Sequence, residues 1–493
     1  MGARIPGCEH SVIVSLPTMA DVIGYEERAP ETMDKVHTGY PRFVRHPFIA
    51  EAVIKLAEHA KLGARALYPL PSVATAQRIV ELSGQQNDYG IIETDGWVLL
   101  HLTPNDPQIA YNAAKLIQHM GVSISSRQAE DWLVAHGYRD AVESELLSDE
   151  NPANAVAATL APLLSPAKSD DILLCRAGMN AFYAAFEATL AIQRPRGRNL
   201  WLQLGWLYAD TTSILQKCLR PDESFVVLSN VLDQSAIEKF FAENGSRIAG
   251  VITEAPTNPL VRTADIVRLS EIAQRYGAVR IFDPSICGLT NVDLLPHCDI
   301  LVNSLTKYAA HKGDVLAGAV ALNPDSPYYS DLKAAATAAH SPAYSRDIAR
   351  LAAQIGNMPT VSAQINKNTM RLASWLEGHS GVRRISWAYS SASAKNYSTI
   401  ARGPEMPGCM ISIELKKPVA TFYDRLQTPK GPSFGTEFTL VSPYIYLAHY
   451  DKVSCREGRG NLLSCGIDPE LIRISVGAEP YEKIESVFAE VLA

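Results

Sequence analysis

Short apolar, β-rich runs recur through residues 170–322, at 171–175, 199–204, 225–229, 248–252, 279–283, 299–303 and 315–322. Amphipathic stretches fill most of the gaps; in 264–276, Ile266, Leu269, Ile272 and Ala273 share one helical face. Strands alternating with helices at this spacing require βαβ crossovers, and hence a large, mostly parallel sheet in an α/β domain. Such sheets bind their ligands beyond the carboxyl ends of the strands. Those ends are where chemistry is expected.

The rhythm changes after Pro359. A helix over 362–377 leads to strand-like runs at 384–388, 410–414 and 471–476 and a last helix near 479–492, a smaller α+β layer. Before Ser165 the pattern predicts a helix at 48–60, a hairpin around Asp95-Gly96, and a helix from Ser125 whose Ser125/Gln128 pair fits a capping box. The stretch 148–153 reads as a linker. The expected division is therefore 1–60, an inserted α/β segment at 61–165, a large domain at 166–360 and a small domain at 361–493.

Length and composition narrow the class. The 493 residues are 47% hydrophobic and 20% charged, as in a soluble globular protein. A net charge of -7 gives no basic footprint for a nucleic-acid polymer. The apolar run 153–164 is too short and Ala-rich to span a bilayer. Pro6 stands where a myristoylation signal wants Ser or Thr, and no charged head precedes an apolar stretch as in a signal peptide. The eight cysteines lack C-x-x-C or Cys/His ligand spacing, so no metal or disulfide framework is expected. These features predict a cytoplasmic protein with reduced thiols and no membrane partner.

Four strand ends carry candidate chemistry. The run 299–308 places Ser304, Thr306 and Lys307 beyond one apolar strand. A lysine there is ordinarily a surface cation, but an amine among apolar neighbours can form a Schiff base with a carbonyl cofactor. Asp283 closes the strand V-R-I-F-D; it is either a turn cap or a carboxylate for a pyridinium nitrogen. The run 173–188 reads strand, Gly178, helix, a turn whose open amides suit a phosphate. It is neither G-x-G-x-x-G nor a P-loop. Tyr208 offers a flat face after the strand 199–204, with Asp210 or Thr211 as N-cap of the next helix. A phosphate-type helix start, an aromatic shelf, an acid and a Ser/Thr/Lys cluster together describe a pyridoxal-phosphate site.

These residues resemble the Cys/Met-metabolism pyridoxal-phosphate enzymes, the cystathionine γ-synthase group, over nearly the whole chain. S-x-T-K-Y at 304–308, with Gly313-Asp314-Val315 and Gly318 behind it, is similar to the family's cofactor-lysine motif. T-E-A-P-T-N-P-L at 253–260 is similar to its E-x-P-[ST]-N-P element, Gly178-Met179 to its phosphate-binding Gly-Met, and Tyr40-Pro41-Arg42 to its Y-x-R segment. G-P-S-F-G-T at 431–436 and L-I-R-I-S-V-G at 471–477 resemble its substrate-carboxylate elements. G-Y-P-R-F, N-V-D-L-L-P-H and L-A-H-Y-D resemble the fungal-type branch, which also has a long segment between Arg42 and Gly178.

The resemblance implies the fold type I, aspartate-aminotransferase-like architecture and a role for each matching residue. Lys307 would anchor the cofactor and then shuttle protons, Asp283 would pair with the ring nitrogen, and Tyr208 would stack on the ring and assist proton transfer. Gly178, Met179, Ser304 and Thr306 would hold the phosphate. The arm at 1–60 would contact a neighbouring subunit, with Tyr40 and Arg42 reaching its site in a homodimer or homotetramer. Arg473 would fork onto the substrate α-carboxylate, helped by Ser433 and Asn258. Three departures stand out: Asp283-Pro284-Ser285 replaces D-N-T, Ala209-Asp210 replaces a Gly-Gly pair, and S-F-G-T-E-F-T-L shifts the acid of the common S-L-G-G-v-E-S-L.

The expected reaction is γ-substitution on an activated homoserine-type amino acid through a vinylglycine-like intermediate, with cysteine as nucleophile. The alternative keeps the cofactor and changes the partners: γ-elimination, or γ-substitution with another donor such as S-adenosylmethionine and a carbon nucleophile. A non-catalytic protein of this fold would have no use for the Lys307, Asp283 and Arg473 set.

Overall fold

The computed structural model describes residues 5, 7–41, 43–63, 65–84, 88–103 and 107–493. Three sheets organise them. A small sheet near the start contains β1 (Ala66–Leu70), β2 (Tyr89–Thr94) and β3 (Trp97–Leu102) in the antiparallel order β1-β3-β2. Asp95-Gly96 makes the two-residue hairpin turn, with Gly96 in the left-handed region at φ +84°.

The seven apolar runs form the large sheet: β4 (Ile172–Cys175), β5 (Leu200–Leu204), β6 (Ser224–Leu228), β7 (Ile248–Glu254), β8 (Val279–Asp283), β9 (Ile300–Asn303) and β10 (Gly318–Leu322). Their order is β4-β10-β9-β8-β7-β5-β6. Strands β5 to β9 run parallel, while β10 is antiparallel to both β9 and β4. Every residue of β5, β7 and β10 is buried, as helices on both faces of a parallel sheet require. The helix Ile266–Arg275 buries Ile266, Leu269, Ile272 and Ala273, the predicted face, and Asp265 caps it by accepting from the Arg268 N–H at 3.0 Å.

The third sheet holds β11 (Val382–Trp387), β12 (Met410–Leu415), β13 (Leu440–Pro443) and β14 (Ile472–Ser475) in the antiparallel order β11-β12-β14-β13. The helices Met358–Glu377 and Tyr481–Leu492 pack on it through Leu372, Leu376 and Phe488. Strand β13 carries no sequence signal. It is four residues long, ends in Pro443 and lies at an edge, where proline costs no ladder bond.

The inserted segment is fused to the large domain. Its helices Val73–Ser83 and Pro107–Met120 share a core with Phe182 and Phe186 of the helix Gly178–Gln193. The helix Pro47–His59, expected in the arm, packs Phe48, Ile49 and Val53 against Trp97 and Trp132, so by its packing it belongs with the insert. The Ser125 capping box is half formed. Ser125 Oγ accepts from the Gln128 N–H at 3.2 Å, but the Gln128 side chain donates to Gly96 O at 2.7 Å instead of returning. The expected linker at 148–153 is tied down: the Ser148 N–H donates to Ala349 O at 3.0 Å, and a helix begins at Pro152.

Buried charges join the insert to the large domain. Arg127, 1% exposed, meets Glu145 at 2.7 Å and Asp347 at 3.1 Å and donates to Asp314 O at 2.8 Å. Arg346 reaches Glu130 at 2.7 Å, and His10 of the arm lies 3.2 Å from the same carboxylate. The arm then threads onto the small domain. The Leu16 N–H donates to Lys430 O at 3.0 Å, the Tyr423 hydroxyl to Leu16 O at 2.7 Å, and the Met19 N–H to Asp424 Oδ1 at 2.7 Å. All eight cysteines are free thiols. Among the described residues no helix is long and apolar enough to cross a membrane, and no cluster of side chains could hold a metal ion.

Candidate active site

Beyond the carboxyl ends of β5, β7, β8 and β9 opens a cavity of about 550 Å³, and its walls bring together every described residue the sequence singled out: Tyr40, Gly178, Met179, Tyr208, Asn258, Asp283, Ser304, Thr306, Lys307, Ser433 and Arg473. Arg42 lies outside the described residues.

Lys307 stands in the turn after β9. Its Nζ donates to the Tyr40 hydroxyl and, at 2.9 Å, to Ser433 Oγ; those two hydroxyls lie 2.8 Å apart. The rings of Tyr40 and Phe434 stand 4.8 and 4.5 Å from the ammonium. The next residue, Tyr308, holds a left-handed backbone at φ +50°, a conformation that costs a non-glycine residue about 1–3 kcal/mol. The small domain enforces it: the Tyr308 N–H donates to Gly435 O at 2.9 Å, and the Tyr308 hydroxyl accepts from the Cys409 N–H at 2.9 Å. The lysine is thus aimed by contacts from both domains.

The helix Gly178–Gln193 starts without a side-chain cap, leaving its first amides open to an anion. A Cβ on Gly178 would come within 2.7 Å of Ser304 Cβ, so glycine alone lets the helix start and the β9 turn form one close cradle. Ser285 ties the cradle to the next strand end by accepting from the Ser304 N–H at 2.9 Å. Thr306 is differently engaged. Its hydroxyl donates to Ala317 O at 3.3 Å and accepts from the Ala317 N–H at 3.2 Å.

Two carboxyls close adjacent strands, since Glu254 of β7 is the register partner of Asp283 of β8. Burial pushes Asp283 up to about 6, against a 2.7 Å hydrogen bond from the Ser285 N–H. Burial, and then the Asp283 charge, push Glu254 up to about 8. Glu254 accepts from the Tyr208 N–H at 2.6 Å and the Asn258 N–H at 3.1 Å, fixing the backbone beneath both. Glu254 and Ser285 appear in the sequence only as motif positions without a role, for their partners lie in distant or irregular segments.

Arg473 on β14 is 3% exposed. It donates to Asn258 Oδ1 at 3.2 Å and to Pro432 O, and its guanidinium stands 4.3 Å from the Tyr444 ring. Asn258 Nδ2 in turn donates to the Tyr444 hydroxyl at 2.7 Å. Burial lowers the Arg473 pKa. Among the described residues no carboxylate forms an ion pair with it, so a ligand carboxylate would offset the desolvation of its charge.

In this single chain Tyr40, expected to reach a neighbouring subunit, lies in the cavity of its own chain, where the arm folds back across the small domain. One expectation is corrected. Asp210 was expected to cap the helix Ala209–Cys218, whose N-cap is Tyr208, with no side-chain cap bond. Instead Asp210 Oδ1 lies 2.7 Å from His119 Nδ1 and accepts from Gln118 Nε2 at 3.1 Å, docking the insert on the rim of the cavity. The Ala209-Asp210 departure falls where the insert makes contact.

Comparison with known proteins agrees with this geometry. A family model described as "Cys/Met metabolism PLP-dependent enzyme" matches residues 151–493. The chain is 37% identical to an L-2-amino-4-chloropent-4-enoate dechlorinase/desaturase from Streptantibioticus cattleyicolor, over 99% of this chain and 97% of that one. It is 28% identical to a cystathionine gamma-synthase from Neurospora crassa, over 100% and 98% of the two chains. A cystathionine gamma synthase from Xanthomonas oryzae pv. oryzae, solved in complex with cystathionine, superposes with a TM-score of 0.59 at 21% identity, covering 72% of this chain and 89% of that one. That likeness establishes the fold.

Proposed function

The chain belongs to the Cys/Met-metabolism family of pyridoxal-phosphate-dependent enzymes, and on that premise we propose that it acts at the γ-carbon of an activated homoserine-type amino acid, replacing the γ-substituent in the manner of a cystathionine γ-synthase. One observation carries the reading: the Lys307 amine, with Tyr40 and Ser433 on it, shares a cavity with the buried Arg473–Asn258 pair.

The residues present fit the cofactor. Gly178, Met179 and Ser304 form the cradle for its phosphate, with a Cβ excluded at Gly178. Asp283 would meet its ring nitrogen, Tyr208 would cover its face and Lys307 would hold it covalently. When bound, pyridoxal phosphate supplies an electron sink that acidifies the substrate protons beside it.

The chain's own residues do the rest. Arg473 and Asn258 orient the substrate by its α-carboxylate, so that the same carbon always faces Lys307. Lys307 Nζ accepts the α-proton and moves protons between neighbouring carbons, a general acid–base role. Tyr40 and Ser433, both hydrogen-bonded to Nζ, hold the amine in place for each transfer. Phe434 and Tyr444 wall this end against water.

A second reading is favoured by the 37% identical relative, whose named substrate carries its chlorine on carbon 4, the γ position. In that reading the γ-substituent leaves and nothing replaces it. A donor panel separates the two: homoserine esters, cystathionine, sulfonium amino acids and a 4-chloro amino acid, each with and without cysteine, with products read by mass. Adduct formation with cysteine supports substitution. Release of the leaving group without cysteine consumption supports elimination. No release from any donor refutes both.

A further inference from the structure

We propose that a second cavity, at the seam between the insert and the large domain, binds a small organic oxyanion through the Arg176 guanidinium and the Asn180 amide. Among the described residues it shares no lining residue with the catalytic cavity, and the inference does not depend on the reaction assigned there.

The seam cavity has about 480 Å³, room for an organic acid rather than a bare ion. The insert supplies one wall, from the helix Val73–Ser83, the turn at Gly96 and Gln128. The large domain supplies the other, from the helix Gly178–Gln193 and the segment 338–345. Arg176 stands between β4 and that helix. Its N–H donates to Ser341 O at 3.1 Å, and the Ser341 N–H donates to Asn180 Oδ1 at 2.9 Å. Strand end, helix and the 338–345 segment therefore meet at one point on the cavity wall.

That point carries donors without acceptors. Asn180 is 0% exposed, and because its Oδ1 accepts from Ser341 the amide cannot be turned round. Its Nδ2 is thus a buried donor with no partner among the described residues. Arg176 Nη1 donates to Gln128 Oε1 at 2.7 Å, while its Nε is buried without a partner. The residue as a whole keeps some access to solvent, so a ligand can reach it.

The same point carries a charge without a counter-charge. Gln128 is neutral. Asp347 and Tyr344 act on the guanidinium, but Asp347 already pairs with Arg127 at 3.1 Å and the Tyr344 hydroxyl donates to Asp131 at 2.6 Å. Burial prevails over both and pushes Arg176 down to about 10. Of the described residues lining the cavity Glu187 is the one acid, and Arg78 holds it at 3.1 Å. A water would offer an oxygen but no charge. Idle N–H donors beside an unbalanced cation are satisfied together by a carboxylate or phosphate head group. Pro71, Met120 and Val122 leave apolar surface for its carbon body.

The test is calorimetric titration of holoenzyme, in which the catalytic cradle already holds the cofactor phosphate. The probes are phenylacetate and phenyl phosphate, which share a ring and differ in head group, with benzylamine as the cationic control. Wild type and R473K should bind at least one of the two anions and not benzylamine. R176Q, with folding checked by circular dichroism, should bind that anion at least about tenfold more weakly, the factor that one charge-assisted hydrogen bond supplies. The anion that wild type prefers assigns the head group. Anion binding that R176Q keeps or R473K loses overturns the proposal, as does equal binding of benzylamine or no binding of either anion. Where R176Q fails to fold, wild-type crystals soaked in selenate decide. An anomalous peak within hydrogen-bond reach of Arg176 and Asn180 supports the site; no peak there, or a carboxylate of a second copy in its place, overturns it.

Discussion

Tyr40 and Lys307, 267 residues apart in the chain, meet through a hydrogen bond from the lysine amine to the phenol inside one cavity of one chain. We propose that the contact stays in cis in the assembled enzyme, where the family resemblance implied a neighbour's residue. Mixing Tyr40→Ala with Lys307→Ala should therefore restore no activity, since no pairing of the two chains rebuilds a complete site. Recovery of about a quarter to a half of wild-type turnover, as shared sites give in a subunit-exchange assay, would place Tyr40 in trans.

Lys307→Ala should lower turnover by about 10²–10⁴-fold or more, the range assigned to a positioned proton-transfer group, and abolish the visible absorbance of the bound cofactor. Far-ultraviolet circular dichroism should not change, because the turn is held by the Tyr308 contacts and not by the amine. Wild-type absorbance and rate in the variant would remove Lys307 from the chemistry.

Arg473→Lys should weaken binding of the amino-acid donor by about 1.5–3 kcal/mol, the worth of a charge-assisted hydrogen bond, because an ammonium cannot reproduce the planar fork. Cofactor affinity should stay within a factor of two or so, since Arg473 binds Asn258 and Pro432 rather than the cradle. The check is a spectroscopic titration with donor; an unaltered donor affinity would place the anchor elsewhere.

Burial raises the Asp283 carboxyl from an ordinary value of 3.8 to about 6 in the cofactor-free chain. A carboxyl that holds its proton more tightly folded than unfolded adds stability in acid and loses it as pH rises through the folded value. The cofactor-free protein should thus lose a component of its melting temperature between about pH 4 and 6. Asp283→Asn cannot ionise and should lack that component. An identical pH slope in the variant would show that the carboxyl is not the source.

Arg127→Ala would leave Glu145 and Asp347 buried without their shared cation. The expected loss is about 3–5 kcal/mol, typical of breaking a buried pair from one side, read by denaturant unfolding. A loss under about 1 kcal/mol would mean that water already reaches the joint between insert and large domain.

The sequence located all seven strands of the large sheet to within a few residues, because the inner strands, buried on both faces, are nearly continuous apolar runs, and the exposed edge strand β6 still carries a β-rich F-V-V-L run. The site was legible where its residues follow those strands directly: Asp283 closes β8, and Ser304 to Lys307 extend β9. Strand β13 escaped because a short edge strand has neither apolar length nor alternation. Glu254, Tyr444 and the His119–Asp210 contact escaped for another reason. Their partners lie 46, 186 and 91 positions away, and no local period encodes such a meeting. Gln128 misled because its spacing suits a capping box while its side-chain oxygen accepts instead from Arg176 at 2.7 Å, with the amide turned to donate to Gly96 O.

The threading of the arm over the small domain also sets an order in time. Met19 hydrogen-bonds Asp424, 405 residues later, and Leu16 accepts from Tyr423, 407 residues later. At the ~5–20 residues per second of ribosomal synthesis, the arm waits roughly 20–80 s for these partners to emerge. The large sheet can form during that interval and offer Gly313 O to the Val12 N–H, whereas the stretch from Leu16 to Met19 lacks the small-domain partners that fix it until the chain reaches Tyr423. Ribosome-bound chains stalled before residue 420 should therefore leave residues 16–27 open to protease while 170–322 are already protected. The arm is made long before the partners that fix it, and catalytic competence arrives with them.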